Sequence, residues 1–240
     1  MYHSAGNACQ MSFPLIMKLE NISYKLLLAI LCIMLAAMPA LAHPINVTME
    51  KAPTQDVVWF YLKMGVTHII PYGFDHILFV ISLCLLSTKI STILWQASAF
   101  TVAHSITLAL SMQRIIVAPS QLIEPVISLS IVFVAVENII LNKLKPWRVL
   151  IVFFFGLVHG MGFASALSEV GLPRNNFFTS VIAFNLGVEI GQVAIIVLVF
   201  GLIVAPFGKR LTYKRRLVYP MSAIIAIIAA YWTIERIITL

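Results

Sequence analysis

Long apolar runs separated by short polar gaps make up most of the chain after residue 63. They cover residues 66–88, 92–112, 121–141, 147–168, 178–204 and 217–238. Each run is long enough to cross about 30 Å of hydrocarbon as a helix that rises about 1.5 Å per residue. Helices are expected because an open strand edge would leave backbone groups unpaired in lipid. The pattern predicts an all-α membrane protein, a six-transmembrane-helix bundle over residues 66–240.

A shorter apolar run, 26–38, lies near the amino terminus. It follows a charged stretch, 17–25, and precedes Pro39-Ala40-Leu41-Ala42, where small residues suit signal peptidase. We predict a signal peptide over residues 1–42, with Met17 as a second candidate start, and a short exported segment over 43–65. His43 would then be the mature amino terminus, where its amine and imidazole together offer a second place for a metal. The alternative is an uncleaved seventh span.

Composition and charge support the membrane assignment. The chain is 61% hydrophobic and 10% charged, with a mean hydropathy of +0.99, whereas soluble domains have about 25% charged residues. The net charge of +7 does not indicate nucleic-acid binding, because the basic residues lie in gaps between apolar runs rather than on one exposed face. The expected surroundings are therefore a lipid bilayer.

The basic residues also predict an orientation. With the first mature span starting outside, nine of them fall in cytoplasmic gaps and five fall outside, in agreement with the positive-inside rule. The predicted location is the inner (cytoplasmic) membrane, with both mature termini outside. The cytoplasmic set is Lys89, Lys143, Lys145, Arg148, Lys209, Arg210, Lys214, Arg215 and Arg216, and the outer set is Lys51, Lys63, Arg114, Arg174 and Arg236.

Ionisable residues inside the spans are the strongest functional signal. Such a side chain costs about 2.5–3.5 kcal/mol at the centre of a bilayer, so it marks a pathway or a site. These residues are Asp75, His76, His104, Glu137, His159 and Glu189. Counted along ideal helices, His76 and Glu189 lie about 15 Å below the outer edge, and His104 and His159 about 18 Å above the inner edge. We therefore predict a midplane site formed by these four residues.

Other polar residues fit around this site. His68 and Asp75 are expected to receive an ion from outside, and Glu137 either leads it inward or pairs with a loop arginine. The predicted supporting polar residues are Ser105, Asn138, Asn185 and Gln192. Asn185, Glu189 and Gln192 share one helical face. Cys84, the only cysteine after residue 42, is expected to pack in the interior.

Imidazole and carboxylate ligands in a dry interior suit a borderline divalent ion such as nickel, cobalt, zinc or copper. Neutral histidine is the binding form, so affinity should weaken below about pH 6. We expect a bound or transported metal and no prosthetic group.

The sequence also resembles the HupE/UreJ family. The resemblance runs in order from His68 to Gln192, includes Glu124 and Glu137-Asn138, and is carried by four segments. They are Asp75-His76-Ile77-Leu78-Phe79, Ala99-Phe100-Thr101-Val102-Ala103-His104-Ser105-Ile106-Thr107-Leu108, Phe155-Gly156-Leu157-Val158-His159-Gly160-Met161-Gly162-Phe163-Ala164 and Phe184-Asn185-Leu186-Gly187-Val188-Glu189-Ile190-Gly191-Gln192. The resemblance implies a small membrane protein that supplies nickel or cobalt to hydrogenase and urease, acting as a permease with metalloenzyme maturation proteins as partners.

We therefore predict a divalent-metal permease rather than an enzyme. No Gly-x4-Gly-Lys-Ser/Thr loop occurs, so transport would not use the chain's own ATP hydrolysis. The same dipeptide, Ala-Phe, precedes His104 as residues 99–100 and Glu189 as residues 183–184. This similarity between two spans suggests a 3+3 inverted repeat. Two alternatives stay open, a zinc-dependent intramembrane hydrolase and a non-transporting accessory protein of metal supply.

Overall fold

The computed structural model describes residues 47–141 and 143–239, and every regular element within them is helical. Seven main helices follow a 3-10 turn, Val47–Glu50. They are α1 (Thr54–Ile69), α2 (Phe74–Leu86), α3 (Ile90–Met112), α4 (Ser120–Ile140), α5 (Arg148–Val170), α6 (Phe177–Val199) and α7 (Tyr219–Ile238). A 3-10 turn, Arg174–Asn176, precedes α6. After Val199 the chain continues through a π-helical turn, Phe200–Val204, and a short α-helical turn, Ala205–Phe207. A second π-helical turn, Lys214–Val218, leads into α7.

Five helical segments of the described chain are long and apolar enough to cross a membrane, and the bent pair α1–α2 makes a sixth if it counts as one span. The predicted all-helical membrane bundle is confirmed, and the last five predicted spans agree with α3 to α7 within a few residues. The signal peptide over 1–42, Met17, the cleavage site after Ala42 and His43 lie outside the described residues.

The first span differs from its prediction. A single helix over 66–88 was expected, but α1 begins at Thr54 and ends at Ile69, and α2 leaves it at 67°. Pro71 interrupts the helix because it lacks a backbone N–H, and a Cβ at Gly73 would overlap the carbonyl oxygen of His68. Asp56 and Lys63 made the start of α1 look like a polar segment, although Val57, Tyr61 and Gly65 give it a buried face. The depth counted for His76 along one straight helix was therefore wrong.

The helices pack mainly as three pairs: α1 with α6, α3 with α5, and α4 with α7. In the first pair, Gly65 lies against Phe184 and Ile69 lies against Gly191, so the two helices run parallel. In the second pair, Gly156 lies against Phe100 and Gly160 against His104, so these also run parallel. The third pair is antiparallel, since Thr233 bonds Ser128 and Arg236 bonds the Glu124 carbonyl.

The buried positions of the two halves recur at constant spacing. The buried residues of α1 each have a buried counterpart 91 residues later in α5: Val57 and Arg148, Tyr61 and Val152, Gly65 and Gly156, and Ile69 and Gly160. Eight buried positions of α3 recur 84 residues later in α6, among them Phe100 and Phe184. Ser128, Ile131 and Ala135 of α4 recur 94 residues later as Ser222, Ile225 and Ala229 of α7.

The spacing changes at one place. The stretch from Gly65 to Phe100 is seven residues longer than the stretch from Gly156 to Phe184. In the first half this stretch breaks after Ile69 and bends into α2, whereas α5 continues unbroken to Val170. The two halves therefore differ most at α2, the helix that carries Asp75 and His76.

Candidate metal centre

A cluster of imidazoles lies where α1, α2, α3 and α5 meet. His68, His76 and His104 each offer one ring nitrogen, and these nitrogens all lie within 4.8 Å of one another. The His68 and His76 ring centroids are 4.7 Å apart, and the His159 ring lies 5.1 Å from that of His76. His76 is thus the nearest common neighbour of His68 and His159. The structure brings together three of the four residues predicted at midplane and adds His68, which was expected nearer the outside.

The bend between α1 and α2 makes this cluster possible. Residues 68 and 76 of one straight helix would be about 12 Å apart along its axis. His68 lies in the last turn of α1 and His76 in the first turn of α2, and the break at Pro71 and Gly73 folds the second turn back toward the first. Pro71 and Gly73, which interrupt the apolar run, are therefore the residues that bring the two histidines together.

The ring orientation of His104 is fixed from outside the cluster. Its Nδ1 lies 3.1 Å from Oδ1 of Asn185, whose own amide nitrogen donates to the Val181 carbonyl at 2.8 Å. An amide oxygen only accepts, so Nδ1 carries the hydrogen and Nε2 keeps its lone pair. Asn185 is a hydrogen-bond partner of the kind that orients metal-binding histidines.

His159 is oriented in the same way. Its Nδ1 donates to the Phe155 carbonyl at 2.8 Å, which again leaves Nε2 with a lone pair. The Nε2 atoms of His68, His76, His104 and His159 are all buried without a hydrogen-bond partner among the described residues.

Aromatic rings enclose the cluster. The Phe163 ring lies 3.9 Å from that of His68, the Phe100 ring 4.9 Å from that of His159, and Phe184 stacks on His104 at 6.4 Å. These walls supply no hydrogen-bond donors for the imidazole lone pairs. A buried polar group left unpaired costs about 1–3 kcal/mol, so a group of four needs a reason to persist. A bound cation that accepts their lone pairs supplies one.

Asp75 lies outside this three-histidine group. Its Oδ2 accepts from Arg236 at 2.9 Å, and its Oδ1 is buried without a partner. Arg236, which the sequence placed among the outer loop charges, is a partly buried ion-pair residue in the last turn of α7.

The predicted polar residues on α6 face α3. Glu189 is also outside the histidine group and accepts from the Ser98 hydroxyl at 2.7 Å, while Gln192 accepts from Thr101 at 3.1 Å. Ser105 donates to the Thr101 carbonyl of its own helix. Polar side chains of α6 and α3 therefore bond one another, although Glu189 Oε2 is buried without a partner among the described residues and Ser105 is bonded within α3.

Glu137 has a different partner. Its carboxylate lies 3.3 Å from Arg148, whose side chain is fully buried and also donates to Asn138 at 2.9 Å. Asn138 in turn donates to the Ser82 carbonyl at 2.7 Å. Of the two roles expected for Glu137, the structure shows a pair with an arginine. Arg148, counted among the cytoplasmic charges, is buried in the protein interior by the carboxylate and amide at the end of α4. The sequence feature that indicates a buried Arg148 is its position inside the apolar run 147–168, shortly after the polar pair Glu137-Asn138.

Cys84 is buried and free, in agreement with a packing role.

The fold and the cluster define a helical integral membrane protein with a group of three imidazoles that could hold a metal ion. The family model described as HupE / UreJ protein matches residues 44–236. The chain belongs to the HupE/UreJ family, which confirms the resemblance found in its motifs. Searches of the curated proteins and of the solved structures found no match.

Proposed function

We propose that this protein is an inner-membrane permease for a divalent transition-metal ion, with nickel or cobalt as the preferred cargo. The observation that carries the proposal is the group of three imidazole nitrogens within 4.8 Å, enclosed by aromatic rings and flanked by His159. Neutral imidazoles suit borderline divalent ions. Protons compete for the same lone pairs, so affinity should fall on acidification.

Binding in this group would couple to movement of the helices. Ligands of a tetrahedral ion, at about 2.0–2.1 Å from the metal, are about 3.4 Å apart. The three nitrogens lie within 4.8 Å of one another, so an ion would draw their helices together. Because the three histidines lie on α1, α2 and α3, this closure would shift the bent first span against its neighbour.

We propose further that the fold is a 3+3 inverted repeat that works by alternating access. The support comes from the helix pairs. If α1, α3 and α4 of the first half correspond to α5, α6 and α7 of the second, then the pair α1–α6 corresponds to the pair α5–α3, and α4 pairs with its own counterpart α7. In the same correspondence Gly65-Val66-Thr67-His68 matches Gly156-Leu157-Val158-His159. His68 and His159 become equivalent residues on either side of His76, as in transporters whose site lies between two repeats.

The proposed orientation keeps both mature termini outside, after removal of residues 1–42 and with the exported segment ahead of the spans. The charge distribution supports the direction, and the parallel course of α1 with α6 and of α3 with α5 supports six alternating spans with both termini on one side. In this orientation Asp75 and Arg236 belong to the outer side, and Glu137 and Arg148 to the cytoplasmic side. The metal would be received near Asp75 and bound by the histidines, with Glu189 beside them.

Nickel uptake into vesicles tests the proposal. Purified protein is reconstituted with a nickel-sensitive dye inside, and wild type is compared with His104→Ala and His159→Ala at equal incorporation. We expect both variants to lose uptake. Ser105→Ala is the matched control, since its hydroxyl bonds only its own helix, and it should transport normally. Uptake by both histidine variants at the wild-type rate would refute the permease, and wild-type binding without uptake would favour the accessory role.

A further inference from the structure

Arg236 is held in place by several contacts at the end of α7. Its Nη2 donates to Asp75 Oδ2 at 2.9 Å, and its Nη1 donates to the Glu124 carbonyl at 3.0 Å. Its guanidinium also lies 5.9 Å from the Trp232 ring centroid, within the range of a cation–π contact. The two hydrogen bonds use different nitrogens, so the arginine joins α7 to both α2 and α4.

The carboxylate that Arg236 holds is next to the imidazole cluster along the chain. Asp75 precedes His76, and both lie in the first turn of α2. Its Oδ1 is buried without a partner, so half of the carboxylate stays available to a second cation. Asp75 and Arg236 both lie close enough to His159 to interact with it electrostatically, so the ion pair adjoins the cluster in space as well as in sequence.

This ion pair is built to open more easily than the pair of Arg148 and Glu137. The side chains of Arg236 and Asp75 are 24% and 25% exposed, whereas those of Arg148 and Glu137 are 0% and 5% exposed. A partly exposed pair is screened by water and contributes little to stability. Water can also solvate the guanidinium once the carboxylate is taken by another cation.

We propose that Arg236 is a selectivity residue that occupies Asp75 until a divalent ion displaces it. The inference rests on the proposed metal site at His68, His76 and His104. A monovalent cation carries no more charge than the guanidinium and gains little from imidazole ligands. A divalent transition-metal ion gains both the carboxylate and the imidazoles, so it can compete for Asp75. Arg236 also lowers the affinity for that ion, which keeps the ion from being trapped.

Calorimetric titration of the full chain in detergent with nickel chloride tests this role. The variants are Arg236→Gln, Asp75→Asn and the double variant. We expect Arg236→Gln to bind nickel about fivefold more tightly, because the competing charge is gone. Asp75→Asn should bind more weakly, and adding Arg236→Gln to it should bring no gain. Arg236→Lys, which keeps the charge, should stay within about twofold of wild type and covers the case in which Arg236→Gln does not fold.

The outcomes separate the two proposals. If wild type binds nickel but Arg236→Gln binds it equally or more weakly, Arg236 is only a helix clamp and the inference is overturned. If Arg236→Gln does not fold, a gain in affinity for Arg236→Lys as large as fivefold likewise overturns it, since the charge is still present. If wild type binds no nickel, or His76→Ala binds it as wild type does, the metal site itself fails and takes this inference with it.

Discussion

The helix pairs α1–α6 and α3–α5 share a backbone arrangement but differ in chemistry. In one, Gly65 lies on the Phe184 carbonyl; in the other, Gly156 lies on the Phe100 carbonyl. Small residues at such crossings let membrane helices approach closely, since lipid supplies little hydrophobic driving force between them. The close crossing is common to both pairs and therefore belongs to the scaffold.

The side chains that differ between the pairs are those of the candidate site. His104 of α3 has Val188 as its counterpart in α6, and Thr101 has Asn185. The bend that presents His76 occurs only in the first half. Under the proposed 3+3 repeat, the two halves would exchange conformations while only one group of three histidines forms.

The largest expected effect concerns Arg148, whose counterpart in α1 is the equally buried Val57. Arg148→Met leaves Glu137 buried without its partner, and breaking a buried pair from one side costs about 3–5 kcal/mol. We expect a marked loss of thermal stability in detergent. The double variant Arg148→Met/Glu137→Gln removes both charges and should recover most of that loss. An Arg148→Met protein as stable as wild type would show that the pair contributes nothing to the fold.

The next effect distinguishes His68 from His159. His68 belongs to the group of three, so His68→Ala should weaken nickel binding by about 100-fold or more, since even residues behind the ligands contribute about 10–100-fold. His159 is not one of the three, and its ring lies 5.1 Å from that of His76, so His159→Ala should weaken equilibrium binding about tenfold at most. Both variants should block uptake, because alternating access needs both positions. Equal losses of affinity would contradict the asymmetry.

Substitution of the crossing glycines tests the shared scaffold. A Cβ at Gly65 or Gly156 would collide with a backbone carbonyl of the partner helix. Overpacking costs about 1–3 kcal/mol, so we expect Gly65→Ala and Gly156→Ala to lower the melting temperature in detergent by similar amounts. Gly201 has open space around it, and Gly201→Ala is the matched control that should be neutral or slightly stabilising. If only one of the crossing glycines tolerates alanine, the two pairs are not equivalent.

The sequence predicted the spans well because apolar length is a strong signal in lipid. Five of the six predicted spans agree with helices within a few residues, and the rare ionisable residues pointed to three histidines that the structure brings together. The prediction failed where polar residues lie on a membrane helix. Because of Asp56 and Lys63, the first span was predicted to begin at residue 66, twelve residues after the actual start of α1 at Thr54. Hydropathy averages over all faces, whereas a helix needs only one buried face.

The particular arginine that pairs with each carboxylate could not be predicted from the sequence, for a different reason. Asp75 and Arg236 are 161 residues apart, and their pairing depends on how α7 packs on α4 and α2. A loop arginine was one of the two roles foreseen for Glu137, but nothing in the sequence singled out Arg148, which follows it by eleven residues at the start of an apolar run. Long-range pairing is a property of tertiary packing, and local sequence carries no direct signal for it.

The smallest effect is expected at Asn185, whose counterpart is Thr101. Asn185→Leu removes the acceptor that fixes the His104 tautomer, and such partners typically contribute about 10–100-fold to metal affinity. We expect a loss near the lower limit, about tenfold, because the ring is still packed against Phe100 and Phe184. Asn185→Asp keeps an oxygen acceptor and should restore binding, which a merely structural role would not predict. Thr101→Val loses a bond to Gln192 but should leave nickel affinity within about twofold of wild type, so a comparable loss there would mean that both stripes position the site.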